Sequence, residues 1–106
     1  MGVSKTDGFT DFQNEIANFA KAFSHPARVA ILQQLIEKRA CIGAELVEEL
    51  PLAQATVAQH LKELKRIGLI KGEVDPPKVS YCINEEVWQR MKSLLEPLLA
   101  SYDSCC

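Results

Sequence analysis

No run of apolar residues in this 106-residue sequence lasts more than a few positions, whereas a membrane-crossing helix needs about 20. Residues 1–5 are not followed by the apolar core of a secretion signal, so a cytoplasmic protein is expected. Strong charge of one sign is also missing. Twelve basic against 14 acidic residues leave a net −2, which argues against a surface coated with positive charge but allows a local basic face. The sequence has no glycine-rich phosphate loop, no HExxH or HxxxH pair, and no evident Ser–His–Asp or Cys–His pattern. An enzyme, a cofactor and a protease-type metal centre are therefore not expected. The four cysteines, Cys41, Cys82, Cys105 and Cys106, lack the spacing of a secreted disulfide framework, and a cytosolic setting keeps thiols reduced by default.

What is present is the composition of one small domain, 47% hydrophobic and 25% charged. Thr10 can cap a helix carrying Phe12, Ile16, Phe19 and Phe23 on one stripe, ending near Ser24 and His25. Pro26 suits the first turn of a second helix with Val29, Leu32, Leu35 and Ile36 inward, and His25 joins the two. Gly43 precedes a short helix holding Leu46, Val47 and Leu50, which Pro51 stops. The next helix begins near Gln54 and turns Val57, Leu61 and Leu64 inward, so residues 46–64 read as helix, tight turn, helix. Gly68 ends it. Residues 69–73 and 78–83 read as a hairpin around Asp75, Pro76 and Pro77, and Asn84 caps a last helix in which Pro97 disturbs the final turn. The fold class is mainly α with a small β-hairpin.

The terminal helices offer more apolar stripe than one small core needs. Phe12, Ile16, Phe19 and Phe23 from the first, with Val87, Met91, Leu94, Leu95 and Leu98 from the last, are the candidate homodimer interface. A two-fold pair would present two helices to one DNA duplex.

Phe23-Ser24-His25-Pro26-Ala27-Arg28-Val29-Ala30-Ile31-Leu32, then Leu46-Val47-Glu48-Glu49-Leu50, Ala53-Gln54-Ala55-Thr56-Val57-Ala58-Gln59-His60-Leu61-Lys62-Glu63-Leu64 and Gly68-Leu69-Ile70 closely resemble the ArsR-type winged-helix transcriptional regulators. The resemblance runs from about residue 12 to 99. It implies a winged helix-turn-helix with N- and C-terminal dimerisation helices, and a cytosolic homodimeric repressor that leaves a palindromic DNA operator when an inducer binds. The expected division is a flexible tail at 1–9, the domain at 10–101 and a flexible cysteine-containing tail at 102–106. A winged-helix protein-interaction module that has lost DNA binding is the alternative, suggested by Glu73, Asp75 and the near-neutral balance.

A helix fits the major groove and amide side chains pair with base edges, which makes Gln54 and Gln59 the base-contact candidates. Thr56, Lys62, Lys65 and Arg66 are candidates for phosphates along the helix, and Lys71 and Lys78 for phosphates beside the wing. His60 reads as a packed or hydrogen-bonded residue rather than a base reader.

Metal-sensing relatives often carry Cys-x-Cys entering the third helix, but Ile42 and Ala44 occupy that place, and residues 85–99 lack the histidines of a second metal pattern. No metal site is assigned. Cys105-Cys106 nevertheless forms a vicinal thiol pair, with Cys41 or Cys82 able to act as a third donor. These four residues are candidates for a thiol sensor of a soft metal, a metalloid or a redox signal. The leading reading is nevertheless of incidental cysteines, with Cys41 buried near the end of an apolar helix and at least one of Tyr81 and Cys82 facing the core.

Overall fold

The computed structural model describes residues 8–39, 41–43, 50–75 and 78–103, with the backbone alone at 73–75 and 78. In order, α1 (Asp11–Ala20) leads through a 3₁₀ turn (Lys21–Phe23) to α2 (Pro26–Lys38), α3 (Gln54–Ile67), β1 (Ile70–Asp75), β2 (Lys78–Ile83) and α4 (Glu85–Ala100). This is a mainly helical fold with an antiparallel two-stranded wing. The expected short helix before Pro51 lies mostly at 44–49, outside the described residues; Leu50 beyond it is buried.

Local chemistry sets the helix limits. Thr10 and Gln13 form a reciprocal capping box at α1: the Gln13 amide donates to Thr10 Oγ1 and the Thr10 amide to Gln13 Oε1, each at 3.0 Å. The chain then tightens into the 3₁₀ turn instead of remaining α-helical to Ser24. At α2, Pro26 fills the first position and the Ala27 amide donates to His25 Nδ1 at 3.0 Å, so His25 is a side-chain cap. Gly68 ends α3 with φ +101°, a left-handed backbone that disfavours other residues. Asn84 caps α4, which continues through Pro97 to Ala100.

The core gathers Phe19, Ala22, Ile31, Leu32, Leu35, Leu61, Leu64, Leu69, Ile70 and Met91. Val57, Leu61, Leu64 and Ile67 form the buried side of α3, in line with its period. On α2 the inward residues are Ala27, Ile31, Leu32 and Leu35, whereas Val29 and Ile36 are exposed, contrary to expectation. Residues 29–32 are apolar on every side, so period alone admits two rotations of this helix. Packing against α3 and β2 selects one.

The wing pairs Ile70 with Ile83 through to Asp75 with Lys78. A third piece joins it: Ile42 and Tyr81 exchange backbone hydrogen bonds of 2.9 and 2.8 Å, which lays residues 41–43 along β2. α1 packs on α4, where the Arg90 guanidinium donates two hydrogen bonds, of 2.8 and 2.9 Å, to the Glu15 carboxylate. That contact holds the Glu15 carboxyl below its ordinary range.

Candidate nucleic-acid interface

Burying Val57, Leu61, Leu64 and Ile67 leaves the opposite side of α3 to solvent, where Gln54, Ala55, Ala58, Gln59, Lys62, Lys65 and Arg66 are all exposed. Gln59, Lys62 and Arg66 follow at i, i+3 and i+7 and line one cavity of about 370 Å³ with Arg28, His60 and Glu63. Gln54 opens the helix and Thr56 is exposed in its first turn. The N-cap is Ala53, whose methyl group accepts no hydrogen bond, so the first amides of α3 lack a side-chain cap. Lys65 lies on the flank towards the wing, its Nζ 3.3 Å from where a Cβ on Gly72 would stand. Lys71 is exposed on β1; the side chain of Lys78 lies outside the described residues.

The cations differ in how far they are compensated. Arg66 is tied to Glu63 by two hydrogen bonds of 2.6 and 2.8 Å, which holds the Glu63 carboxyl below its ordinary range. Arg28 reaches from α2 to α3. Its Nε donates to His60 Nδ1 at 3.2 Å, and its Nη1 donates to the Lys21 carbonyl at 2.6 Å and to Ser24 Oγ at 3.3 Å. Because a guanidinium only donates, His60 Nδ1 must carry a lone pair, which puts the proton of the neutral ring on Nε2. Burial, then the charges of His25 and Arg28, push the His60 pKa below the usual value, and the two rings sit 4.4 Å apart. His60 is thus hydrogen-bonded and half-buried, as its neighbour Leu61 suggested. No period or motif flagged Arg28; its partner is 32 residues away.

The cysteines occupy the other end of α2. Cys41 and Cys82 are joined in a disulfide with Cα atoms 4.3 Å apart, whereas the sequence favoured separate reduced thiols. The Ile42–Tyr81 bridge accounts for this by seating residue 41 beside residue 82. Cys82 is buried, but Cys41 is exposed, against the expectation that it enters the core. Both line a cavity of about 550 Å³ whose walls include Leu35, Ile36, Arg39, Lys71, Ile83 and Trp88. Among the described residues no three or more His, Cys, Asp or Glu side chains gather as a metal would need. Cys105 and Cys106 lie outside the described residues.

Of the interface candidates on the terminal helices, Phe19 and Met91 are only 5% and 3% exposed, enclosed by their own subunit. Ile16, Val87, Leu94 and Leu95 are half-buried. Phe12, Phe23 and Leu98 are exposed, as are Leu99 and Tyr102.

Comparison with known proteins agrees with this geometry. Residues 23–73 match a family model described as a helix-turn-helix domain. The HTH-type transcriptional repressor SmtB of Mycobacterium tuberculosis is 43% identical over 61 residues, which cover 58% of this chain and 44% of the relative. The aligned region thus spans less than half of that curated relative. An ArsR-like transcriptional regulator from Rhodococcus sp. RHA1 superposes with a TM-score of 0.71 at 25% identity, over 86% of this chain and 85% of the other. The homodimeric winged helix-turn-helix DNA-binding domain of Mb0332 from Mycobacterium bovis has the same fold, with a TM-score of 0.64 at 21% identity over 90% and 91% of the two chains. No helix among the described residues is long and apolar enough to cross a membrane. With its Ser24-His25-Pro26 entry, its α3 and its wing all in place, the chain has a winged helix-turn-helix fold and is similar in sequence and structure to the ArsR-type transcriptional regulators.

Proposed function

We propose that this chain is a sequence-specific DNA-binding repressor that works as a homodimer and releases DNA in response to thiol oxidation. The observation that carries the DNA reading is the outer face of α3, where Gln59, Lys62 and Arg66 share one side of a helix whose opposite side is core, with the wing alongside. Gln54 and Gln59 read base edges. Lys62, Lys65 and Arg66 with Thr56, and Lys71 and Lys78 on the wing, take phosphates. The relatives named above are transcriptional regulators, and a winged helix that recognised protein alone would not need this row of amides and cations. Anisotropy on the DNA upstream of its own gene and on a scrambled duplex tests the assignment. Gln59→Ala should narrow the difference between the two duplexes, while Lys62→Ala should weaken both. Equal, unchanged affinities for both duplexes in every variant would defeat it.

Pairing runs through exposed residues of α1, the 3₁₀ turn after it and α4, namely Phe12, Phe23 and Leu98, continued by the half-buried Ile16, Leu94 and Leu95. Leu98→Glu should shift sedimentation towards monomer. A wild-type monomer at high concentration would reverse this assignment.

The Cys41–Cys82 bond supports oxidation over a soft metal or metalloid as the signal, since disulfide sulfurs are not thiolate ligands. Lys71 pairs with Cys82 in the wing register, and Arg39, Lys71 and Glu85 line the same cavity as both sulfurs. The exposed Cys41 thiolate attacks a hydroperoxide, leaving a sulfenic acid and an alcohol, or water from hydrogen peroxide. Cys82 then displaces the hydroxyl as water to close the disulfide. Two thiols and one hydroperoxide thus give one disulfide, one alcohol and one water. In a Cys105→Ser/Cys106→Ser background, hydrogen peroxide should lower DNA affinity and dithiothreitol restore it. Unchanged affinity after complete disulfide formation would remove this signal.

A further inference from the structure

Arg28 is held by neutral acceptors on two of its three guanidinium nitrogens, His60 Nδ1 on Nε, and the Lys21 carbonyl and Ser24 Oγ on Nη1. Its Nη2 has no acceptor among the described residues. The one carboxylate in the cavity it lines, Glu63, is engaged by both Nε and Nη2 of Arg66. The fork of Arg28 is therefore fixed in direction, and no carboxylate touches it: Glu63 feels its charge across the cavity but spends its oxygens on Arg66, which leaves Nη2 open to an anion supplied from outside. The cavity carries three cations against one carboxylate in a chain whose total is −2. It lies along the flank of α3 that ends in Gln59 and Lys62.

We propose that Arg28 is a phosphate anchor for double-stranded DNA, with Nη2 and the Lys62 ammonium gripping one phosphodiester beside the groove that α3 enters. This deepens the DNA-binding reading and rests on it. The contact comes from α2, outside the recognition helix, so it fixes the angle of α3 to the duplex and carries no sequence information. The Arg28–His60 hydrogen bond links the phosphate to the helix that reads the bases.

The experiment is a KCl series on the full chain with the upstream duplex and its scrambled counterpart, with melting followed in parallel. Arg28→Gln should weaken both duplexes alike, by roughly five- to tenfold at about 0.1 M salt, and flatten the log–log salt slope by about 0.9. Arg28→Lys, which keeps the charge, should retain the wild-type slope. On the wild-type chain, the Arg28 Nε–H resonance should shift when scrambled duplex is added, a readout that needs no variant to fold. An unchanged salt slope in Arg28→Gln, or an Arg28 signal indifferent to DNA, would reduce the residue to a structural tie. If the wild-type chain itself bound neither duplex, the DNA reading would fall and take this inference with it.

Discussion

The two cavities at opposite ends of α2 are built on opposite principles. Near its N-terminus, Arg28 and His60 make a polar site in which named hydrogen bonds fix each group and the net charge is positive. Near its C-terminus, Leu35, Ile36, Ile83 and Trp88 share a mixed site with Arg39, Lys71, Glu85 and Gln89, tied by a covalent bond. Their nearest α2 residues, Arg28 and Leu35, are separated by about 10 Å of helix. Charge can act at the first because its cations lie at the surface, where Lys62 and Arg66 are exposed. At the second, the joined sulfurs tie residue 41, just past α2, to β2.

A change that should break both ends together is Ile31→Ala. Ile31 is fully buried midway along α2 and packs in the common core. Removing its larger side chain should cost about 2–5 kcal/mol of stability, read from urea unfolding, and should weaken DNA binding only as far as the chain unfolds. A loss under about 0.5 kcal/mol would show that the two ends do not share this support.

Cys41→Ser separates the ends. Under non-reducing conditions it removes a crosslink spanning 41 residues and should lower stability by about 2–4 kcal/mol. Because Cys41 is exposed, the substitution leaves no hole, and with dithiothreitol present variant and wild type should melt together. Equal melting without reductant would mean that the bond does not hold the fold.

Much of this molecule is legible in its order of residues because the signals are local. The Thr10 capping box, Pro26 at the start of α2, the i, i+4, i+7 burial of Val57, Leu61 and Leu64, and Gly68 at φ +101° each depend on neighbours within a turn or two. The α2 rotation is not legible: Val29 and Ile31 are equally apolar, and only the packing of distant elements buries one and exposes the other. The same holds for Phe19 and Met91, which a stripe argument offers to a partner and the core of the same chain encloses. At the candidate site, the outer row of α3 follows from the period of its inner row. Arg28 and the Cys41–Cys82 pair do not, since each joins residues brought together by folding alone, and residues 41–43 carry no strand alternation of their own.

The polar end is sharpened by Glu63→Gln. This side chain occupies Arg66 and adds the one negative charge to the cavity, so neutralising it frees a guanidinium for phosphate. DNA affinity should rise roughly three- to tenfold with a steeper salt slope, while melting changes little because the pair is exposed. A fall in affinity would assign Glu63 to aiming Arg66 instead of restraining it.

The smallest effect expected is a pH slope from His60. Its folded pKa is depressed by burial and by the neighbouring His25 and Arg28, whereas the unfolded chain returns it to about 6.5. Between those two values the unfolded chain binds the extra proton, so stability increases with pH there. The contribution is complete above about 6.5, declines as the pH falls through that value, and levels off below the folded pKa. Protonation also removes the Nδ1 lone pair that Arg28 Nε uses, so the cost arises where the two helices are joined. His60→Gln, whose carbonyl oxygen offers Arg28 an acceptor at every pH, should melt at a temperature less dependent on pH between about 5 and 7, with a difference of a few degrees at most. Parallel pH profiles for variant and wild type would show that another group carries the slope. A wild-type melting temperature that instead rose on acidification would mean that the folded chain favours the charged ring, and the Arg28–His60 hydrogen bond would then have to be drawn with a different donor.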